Sequence, residues 1–296
     1  MKNNGSFKNI GKTVSSEYQD GVKVYLESGD DEYIIGRKWF SKLKDKISFE
    51  AVSDKKANGG CQLVIKRVES SSNSNNKTFG IVDRDVLLAH PNFQDSLWWE
   101  TNNHIFSSTQ PYKNVFILHR WELENYLLHP NALASLVADK KLAESSAISS
   151  SSIADLLNRH ERELIAVTLL STVPTKTGSS QAPEKYGLQD KGEDLITKIA
   201  GELGLTMDSF IVEQEKISRF AEDEIEAIDR WNKLSRLLDG KRIMYRIEQL
   251  LSDSDFAGFN IPLQSERGYL AGYLASQNLI DPMLSDWLNN IYQNHV

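Results

Sequence analysis

Short apolar runs alternate with helical patterns over the first 130 residues of the chain. Four runs rich in β-branched and aromatic residues predict buried strands, at 22–27, 47–52, 79–82 and 115–118. Apolar residues at helical spacing predict a helix that opens with Asp30 and Asp31 and two more helices at 61–68 and 122–128, the last ended by Pro130. This alternation predicts an α/β domain.

The pattern changes after Pro130, where helical spacing continues but good strand candidates disappear. Seven helices are predicted in this part, at 133–142, 153–170, 195–203, 210–238, 242–251, 269–279 and 283–292. We therefore expect a catalytic α/β domain over residues 1–130 and a helical domain for substrate or partner contact over 131–296.

Acidic residues stand at the ends of two of the predicted strands. Glu27 ends the first, and Asp83 and Asp85 follow the third. Open parallel sheets bind ligands at the carboxyl ends of their strands, where several strand ends converge. Carboxylates gathered there repel one another unless a cation joins them, and a hard divalent ion such as Mg²⁺ prefers oxygen ligands. The pattern predicts a metal site.

Composition limits the class of protein and its surroundings. The net charge of −7 argues against nucleic-acid binding by global attraction, although a local basic groove remains compatible with it. The single cysteine, Cys61, excludes an internal disulfide framework and a multi-cysteine zinc site. No signal peptide or membrane-spanning apolar run is recognisable. We expect a cytoplasmic protein without membrane contact.

Three sequence blocks together resemble a known family. Glu27 ends a first strand, Asp83-Arg84-Asp85 ends a later one, and residues 121–128 read WELENYLL. This order resembles the TOPRIM fold and, more narrowly, the DUF4435 family of TOPRIM nucleases. The resemblance implies a TOPRIM-like mixed sheet flanked by helices, followed by a mainly helical domain, and Mg²⁺ as cofactor, with Mn²⁺ as the alternative. The chain differs from the family pattern at one position, since Ser28 stands where a glycine often follows the TOPRIM glutamate.

The resemblance also implies a biological role. The chain is similar to the effector subunits of PARIS-type anti-phage systems, which attack tRNA in infected cells. It implies an endonuclease that cleaves RNA, with tRNA as the substrate. An ABC-type ATPase subunit would hold the chain inactive until a phage trigger protein acts through that ATPase, and the released effector would form a homodimer. A C-terminal helix after Asp281-Pro282 carries large apolar residues on one face, which is one candidate for such contacts, with internal packing as the alternative.

The acidic residues supply the predicted metal ligands. These are Glu27, Asp83, Asp85 and Glu124, with Glu122 as an alternative to Glu124. Glu27 serves as ligand or as general base. Glu122 and Glu124 also open a predicted helix, where acids stabilise the first turn, so capping alone explains one of them.

Basic residues and one histidine near these acids are candidates for phosphate contact, namely Arg84, His119, Arg120, Lys38 and Lys42. Lys241 is a candidate catalytic lysine, because OLD-like TOPRIM nucleases use a lysine from a later segment. Each has a structural alternative. Arg84 fits a salt bridge to a neighbouring helix, and His119 fits a hydrogen-bonded structural imidazole.

Two other classes of function remain compatible with the sequence. A haloacid-dehalogenase-type phosphatase also uses an Asp-x-Asp pair after an apolar strand, with Asp83 as nucleophile and Asp85 as acid or base. In such a phosphatase, Glu27 and Glu124 would have no role in the reaction. A non-catalytic regulatory subunit, whose acids only shape a binding surface, is the second alternative.

Overall fold

A four-stranded sheet forms the centre of the first part of the chain. The computed structural model describes residues 21–52, 60–71, 77–90, 92–141, 148–179, 186–253 and 256–295. Its strands are β1 (Val22–Leu26), β2 (Ile47–Ala51), β3 (Thr78–Val82) and β4 (Val115–Ile117), in the order β2-β1-β3-β4. The α/β class and all four predicted strands are confirmed. Residues 1–20, at the start of the predicted first domain, lie outside the described residues.

All three strand pairings are parallel, so the expectation of a mixed sheet is wrong for the described residues. The reason is connectivity, since each link between successive strands contains helical turns that return the chain to the same end of the sheet. In the central pair, Val24 of β1 lies beside Phe79 of β3. Every residue of β3 is buried. Glu27 and Asp83, which follow these two strands, therefore emerge side by side.

Ser28 begins the helical segment after β1. Its side chain and the Asp31 side chain form a capping box around α1 (Gly29–Asp31), which continues as a π-helix over Glu32–Trp39. The wider π-helical turn is closed by Phe40, whose amide donates to the carbonyl of Ile35. Ser28, which replaces the usual glycine, thus serves as the N-cap and orders the segment next to Glu27.

Helix α2 (Gly60–Ser71) lies against β1 and β3. Gly80 in β3 allows this close approach, because a Cβ there would come within 2.5 Å of a Val64 methyl group. Two short helices follow, α3 (Asn103–Ser108) and α4 (Leu123–Leu127). Pro130 lies beyond the end of α4, as predicted, and is itself the first residue of the next helix.

From Pro130 onward all regular elements of the described residues are helices. They are α5 (Pro130–Lys141), α6 (Ser150–Arg159), α7 (Glu161–Thr177), α8 (Gly192–Glu202), α9 (Met207–Arg219), α10 (Ala227–Leu234), α11 (Gly240–Ser252), α12 (Arg267–Ser276) and α13 (Pro282–His295). The predictions of two long helices are wrong, since each range contains two shorter helices. The helix predicted at 153–170 divides at His160, and the helix predicted at 210–238 divides between Arg219 and Ala227, where four acidic residues disfavour continuous helix.

The helical part packs directly on the sheet part. Helix α12 contacts the π-helix and α4, and the Trp39 indole donates to the carbonyl of Ala271 at 3.1 Å. Buried apolar residues of both parts form one continuous core. The division into domains near residue 130 stays a prediction.

The apolar face of α13 serves this internal core. Leu284 and Leu288 are fully buried, and the ring of Trp287 lies 6.0 Å from Phe79 and 5.3 Å from Phe116. The alternative of internal packing is therefore confirmed for Leu284 and Leu288, whereas an interface role for the half-buried Trp287 stays a prediction. Among the described residues, no helix is long and apolar enough to cross a membrane.

Candidate functional site

The structure brings Glu27, Asp83 and Asp85 together at the carboxyl ends of β1 and β3. The Glu27 carboxylate reaches across to the neighbouring strand end, where its Oε1 accepts a hydrogen bond from the Asp83 amide at 2.9 Å. Asp83 has extended backbone geometry and leads into a 3₁₀ turn, Arg84–Leu87, that contains Asp85. The three acids predicted from strand ends thus form one cluster.

Cys61 joins this cluster and was not singled out as a site residue in the sequence. Its thiol lies 2.8 Å from Glu27 Oε1 and 3.5 Å from Asp85 Oδ1, so one side chain touches both carboxylates. The preceding residue must be small, because a Cβ on Gly60 would come within 2.6 Å of Glu27 Oε2. In the sequence, the Gly60-Cys61 pair at the start of α2 was the available sign that Cys61 belongs to the site. It was missed because the pair lies far from Glu27 along the chain.

Crowding in the cluster disfavours the charged forms of these acids. Burial raises the pKa of Glu27 to about 7, and the nearby charges of Asp85 and Asp31 act in the same direction. Burial and the Glu27 carboxylate raise the pKa of Asp83 well above its usual value. Burial also raises the pKa of Asp85. Without a cation, the cluster therefore retains protons that ordinary carboxylates release.

Lys241, a predicted catalytic residue, lies at the first turn of α11 and holds Glu122. Its backbone amide and Nζ donate to the two Glu122 oxygens at 2.5 and 2.6 Å. Glu122 is only 4 % exposed, and burial raises its pKa well above the usual value. Burial would lower the pKa of Lys241, but Glu122, Glu124 and Asp83 outweigh that effect and raise it. Lys241 thus remains a cation beside the acids.

Glu124 pairs with Arg267 of α12, a residue that the sequence analysis missed. Arg267 Nη2 donates to Glu124 Oε1 at 2.7 Å, and its Nη1 donates to Asp30 at 2.9 Å. Asp31 was also missed as a site residue, and its pKa is raised by burial and by Glu124. The acids and the two cations enclose a cavity of about 320 Å³, the carboxylate cavity, lined by Glu27, Asp31, Asp83, Glu124, Lys241 and Arg267.

Arg84 does not face the carboxylate cavity. Its side chain is fully buried, and its guanidinium donates to the carbonyls of His119 at 2.8 Å and Trp98 at 2.7 Å. It also lies 4.3 Å from the centre of the Phe106 ring. The structure therefore gives Arg84 a structural position in place of the predicted phosphate contact, and its partners are carbonyl groups, not a helix carboxylate.

The other predicted phosphate contacts also lie away from the carboxylate cavity. Lys38 and Lys42 are exposed and do not line it, and Lys38 Nζ lies over the Tyr33 ring at 5.3 Å. His119 is buried, with Nδ1 3.3 Å from Asp281 and Nε2 3.0 Å from Ser107. Arg120 turns toward the opposite face of α4, where it contacts Asn232 and Ser235.

The chemistry of the side chains suits a metal ion, but their positions do not form a coordination site. The donors are hard oxygens, and in the described part of the chain the Asp83 carboxylate accepts no hydrogen bond. However, no set of three or more His, Cys, Asp or Glu side chains among the described residues converges closely enough to hold a metal. Glu27 Oε1 is instead engaged by Cys61 and by the Asp83 amide. Binding a metal would require the Glu27 side chain to exchange these contacts for the ion.

We expect the stability of the metal-free protein to fall as pH rises from about 4.5 to about 7. In this window Glu27 keeps a proton in the folded state, because its pKa is raised from 4.5 to about 7, whereas the unfolded chain releases it. The full shift corresponds to at most about 3 kcal/mol. Denaturant unfolding across this pH range measures the dependence.

The matched variants for this measurement are Glu27→Gln and Glu69→Gln. Glu27→Gln removes the titrating group, so the decline in stability with pH should become shallower. Glu69 is exposed on α2, and its replacement should leave the decline unchanged. An unchanged decline in Glu27→Gln would contradict the assignment to Glu27.

No protein-family model matches the chain, and no curated protein matches it.

Proposed function

We propose that the chain is a TOPRIM-like, Mg²⁺-dependent endonuclease that cleaves RNA, with tRNA as its substrate. One observation supports this most. Three carboxylates from the ends of two adjacent parallel strands are crowded together, Glu27 and Asp83 line a cavity, and burial raises the pKa of all three. A divalent ion is the ligand that relieves such crowding.

Glu27, Asp83 and Asp85 would hold the ion, with Glu124 at the far side of the cavity. Bound Mg²⁺ would neutralise charge on the phosphate oxygens and lower the pKa of a water. Lys241 remains protonated beside the cavity and would bind a nonbridging phosphate oxygen. As the alternative to direct binding of the ion, Glu27 would act as the general base that accepts a proton from the attacking water.

The proposed cellular role rests on the resemblance to DUF4435 effectors. In this role the chain is a cytoplasmic toxin of an anti-phage system, inhibited by an ABC-type ATPase partner until a phage trigger releases it. Leu284 and Leu288 of α13 are buried and would not contribute to the self-association surface.

The purified chain tests the activity directly. We expect it to cleave tRNA in Mg²⁺ or Mn²⁺ and to leave tRNA intact in EDTA, and sequencing of both RNA ends locates the cut. Co-expression with the ATPase subunit should suppress cleavage. Absence of metal-dependent cleavage of RNA or DNA would favour the non-catalytic alternative, and a trapped aspartyl-phosphate at Asp83 would favour the phosphatase.

A further inference from the structure

A second cavity of about 450 Å³ lies on the opposite face of α4 from the carboxylate cavity. We name it the arginine cavity, and its walls include His119, Arg120, Tyr126, His129, Arg236 and Asp281. Leu123, Glu124 and Leu127 face the carboxylate cavity, whereas Tyr126 faces the arginine cavity. The two cavities share no lining residue, so a ligand of one does not occupy the other.

Two buried or half-buried guanidinium groups line the arginine cavity without a carboxylate partner. Arg236 is 8 % exposed, and among the described residues it donates only to the carbonyls of Thr101 and Glu100, each at 3.1 Å. No described residue accepts a hydrogen bond from its buried Nε. Arg120 donates to neutral oxygens, those of Asn125, Ser235 and Asn232. Within the described residues, neither guanidinium forms an ion pair.

The carboxylates around the arginine cavity are already engaged or exposed. Asp281 accepts from the Tyr126 hydroxyl at 3.1 Å and from the Met283 amide at 2.8 Å, and it lies beside His119. Glu224 pairs with Lys233 at 3.1 Å. Asp229 is exposed. These acids therefore leave the two arginines without a neutralising hydrogen-bond partner.

Burial without a paired acid among the described residues makes the charge of both arginines costly, which favours an anionic ligand. The pKa of Arg236 is lowered to about 10, chiefly by burial, with the neighbouring Arg120 acting in the same direction and Tyr126 and Asp281 opposing it. Burial also lowers the pKa of Arg120. A buried cation is costly unless an opposite charge accompanies it. A phosphate group, which pairs with the forked guanidinium donors, supplies that charge.

We propose that the arginine cavity is a binding site for a small phosphorylated ligand of nucleotide size, held by Arg120 and Arg236. The volume falls in the usual range for small-molecule sites. The exposed Asn103 and the half-buried Asn232 provide amides that can bind polar groups of a base or sugar.

Direct binding measurements in EDTA test this site, since EDTA removes any metal that would hold phosphate at the carboxylate cavity. The probes are inorganic pyrophosphate, adenosine monophosphate, adenosine and a short single-stranded RNA. We expect both small phosphate compounds to bind and to raise the melting temperature, and adenosine to bind far more weakly. The test involves no cleavage, so its result is independent of the proposed nuclease activity.

Asn232→Asp is the decisive variant. It keeps the shape of the side chain that Arg120 contacts at 3.2 Å and places a carboxylate against the guanidinium. We expect phosphate affinity to fall about tenfold or more. Asn290→Asp is the matched control, because it adds the same charge at an exposed position about two turns along α13 from the cavity.

If Asn232→Asp fails to fold, Asn103→Asp replaces it, since Asn103 is exposed at the edge of the cavity and an acid in the first turn of α3 is tolerated. Three results would overturn the proposal. They are no binding of either small phosphate compound, equal binding in the cavity variant and the control, and binding of the RNA alone, which would indicate a substrate channel instead.

Discussion

Asp83→Asn is expected to abolish metal-dependent cleavage while making the folded protein more stable. Activity should fall at least about a hundredfold, because even residues that only support a metal ligand lower activity by 10- to 100-fold when replaced. Stability should rise by about 1 kcal/mol or more, because burial and Glu27 raise the pKa of Asp83, so folding at neutral pH requires this carboxylate either to take up a proton or to bury a charge. Asparagine removes that cost. The opposite signs of the two effects distinguish a functional residue from a structural one.

Cleavage assays and denaturant unfolding at neutral pH measure the two effects on the same samples. Asp286→Asn is the control, since Asp286 is exposed on α13 and its replacement should change neither quantity appreciably. Glu27→Gln and Asp85→Asn should resemble Asp83→Asn in activity. Cleavage within a few-fold of the unchanged protein in Asp83→Asn would exclude the carboxylate cluster as the metal site, and a loss of stability would contradict the mutual repulsion of its acids.

Arg84→Met is expected to lower the free energy of unfolding by about 3 kcal/mol without a specific effect on substrate binding. The guanidinium is fully buried and donates to carbonyls of two separate segments, at His119 and at Trp98. Methionine leaves these carbonyls without their donor. If the predicted phosphate contact were correct, the main effect would instead be a higher KM at unchanged stability.

Denaturant unfolding and substrate titration separate these two outcomes. Arg37→Met is the matched control, because Arg37 is largely exposed and pairs with Glu32 at the surface, so its loss should cost less than about 1 kcal/mol. Equal stability losses in the two variants would contradict the structural role of Arg84.

The strands were predictable because their signal is local. The runs near Val24, Phe79 and Phe116 combine apolar character with strand-forming side chains, and no helical spacing competes with them. The direction of pairing was not predictable in the same way, since it depends on how the chain returns between strands. Helix divisions at His160 and after Arg219 were missed because apolar spacing continues across both breaks, whereas the caps that end the helices depend on individual residues.

The sequence by itself determined that Glu27, Asp83 and Asp85 follow buried strands, and hence that acids gather at one edge of a sheet. Only the tertiary structure decided which other side chains join them. Cys61 is 34 residues from Glu27 along the chain. Arg267 and Lys241 reach the site from helices far along the chain, and contacts of this range leave no periodic signal.

The same distinction explains His119 and Arg120. Their positions after β4 predicted a place beside the acids, yet α4 separates them from the carboxylate cavity. A strand end fixes where a backbone emerges, and it does not fix the side of the next helix on which a side chain lies. That choice is made by packing, because Arg120 finds its hydrogen-bond partners on the segment around α10 and His119 finds Asp281 before α13.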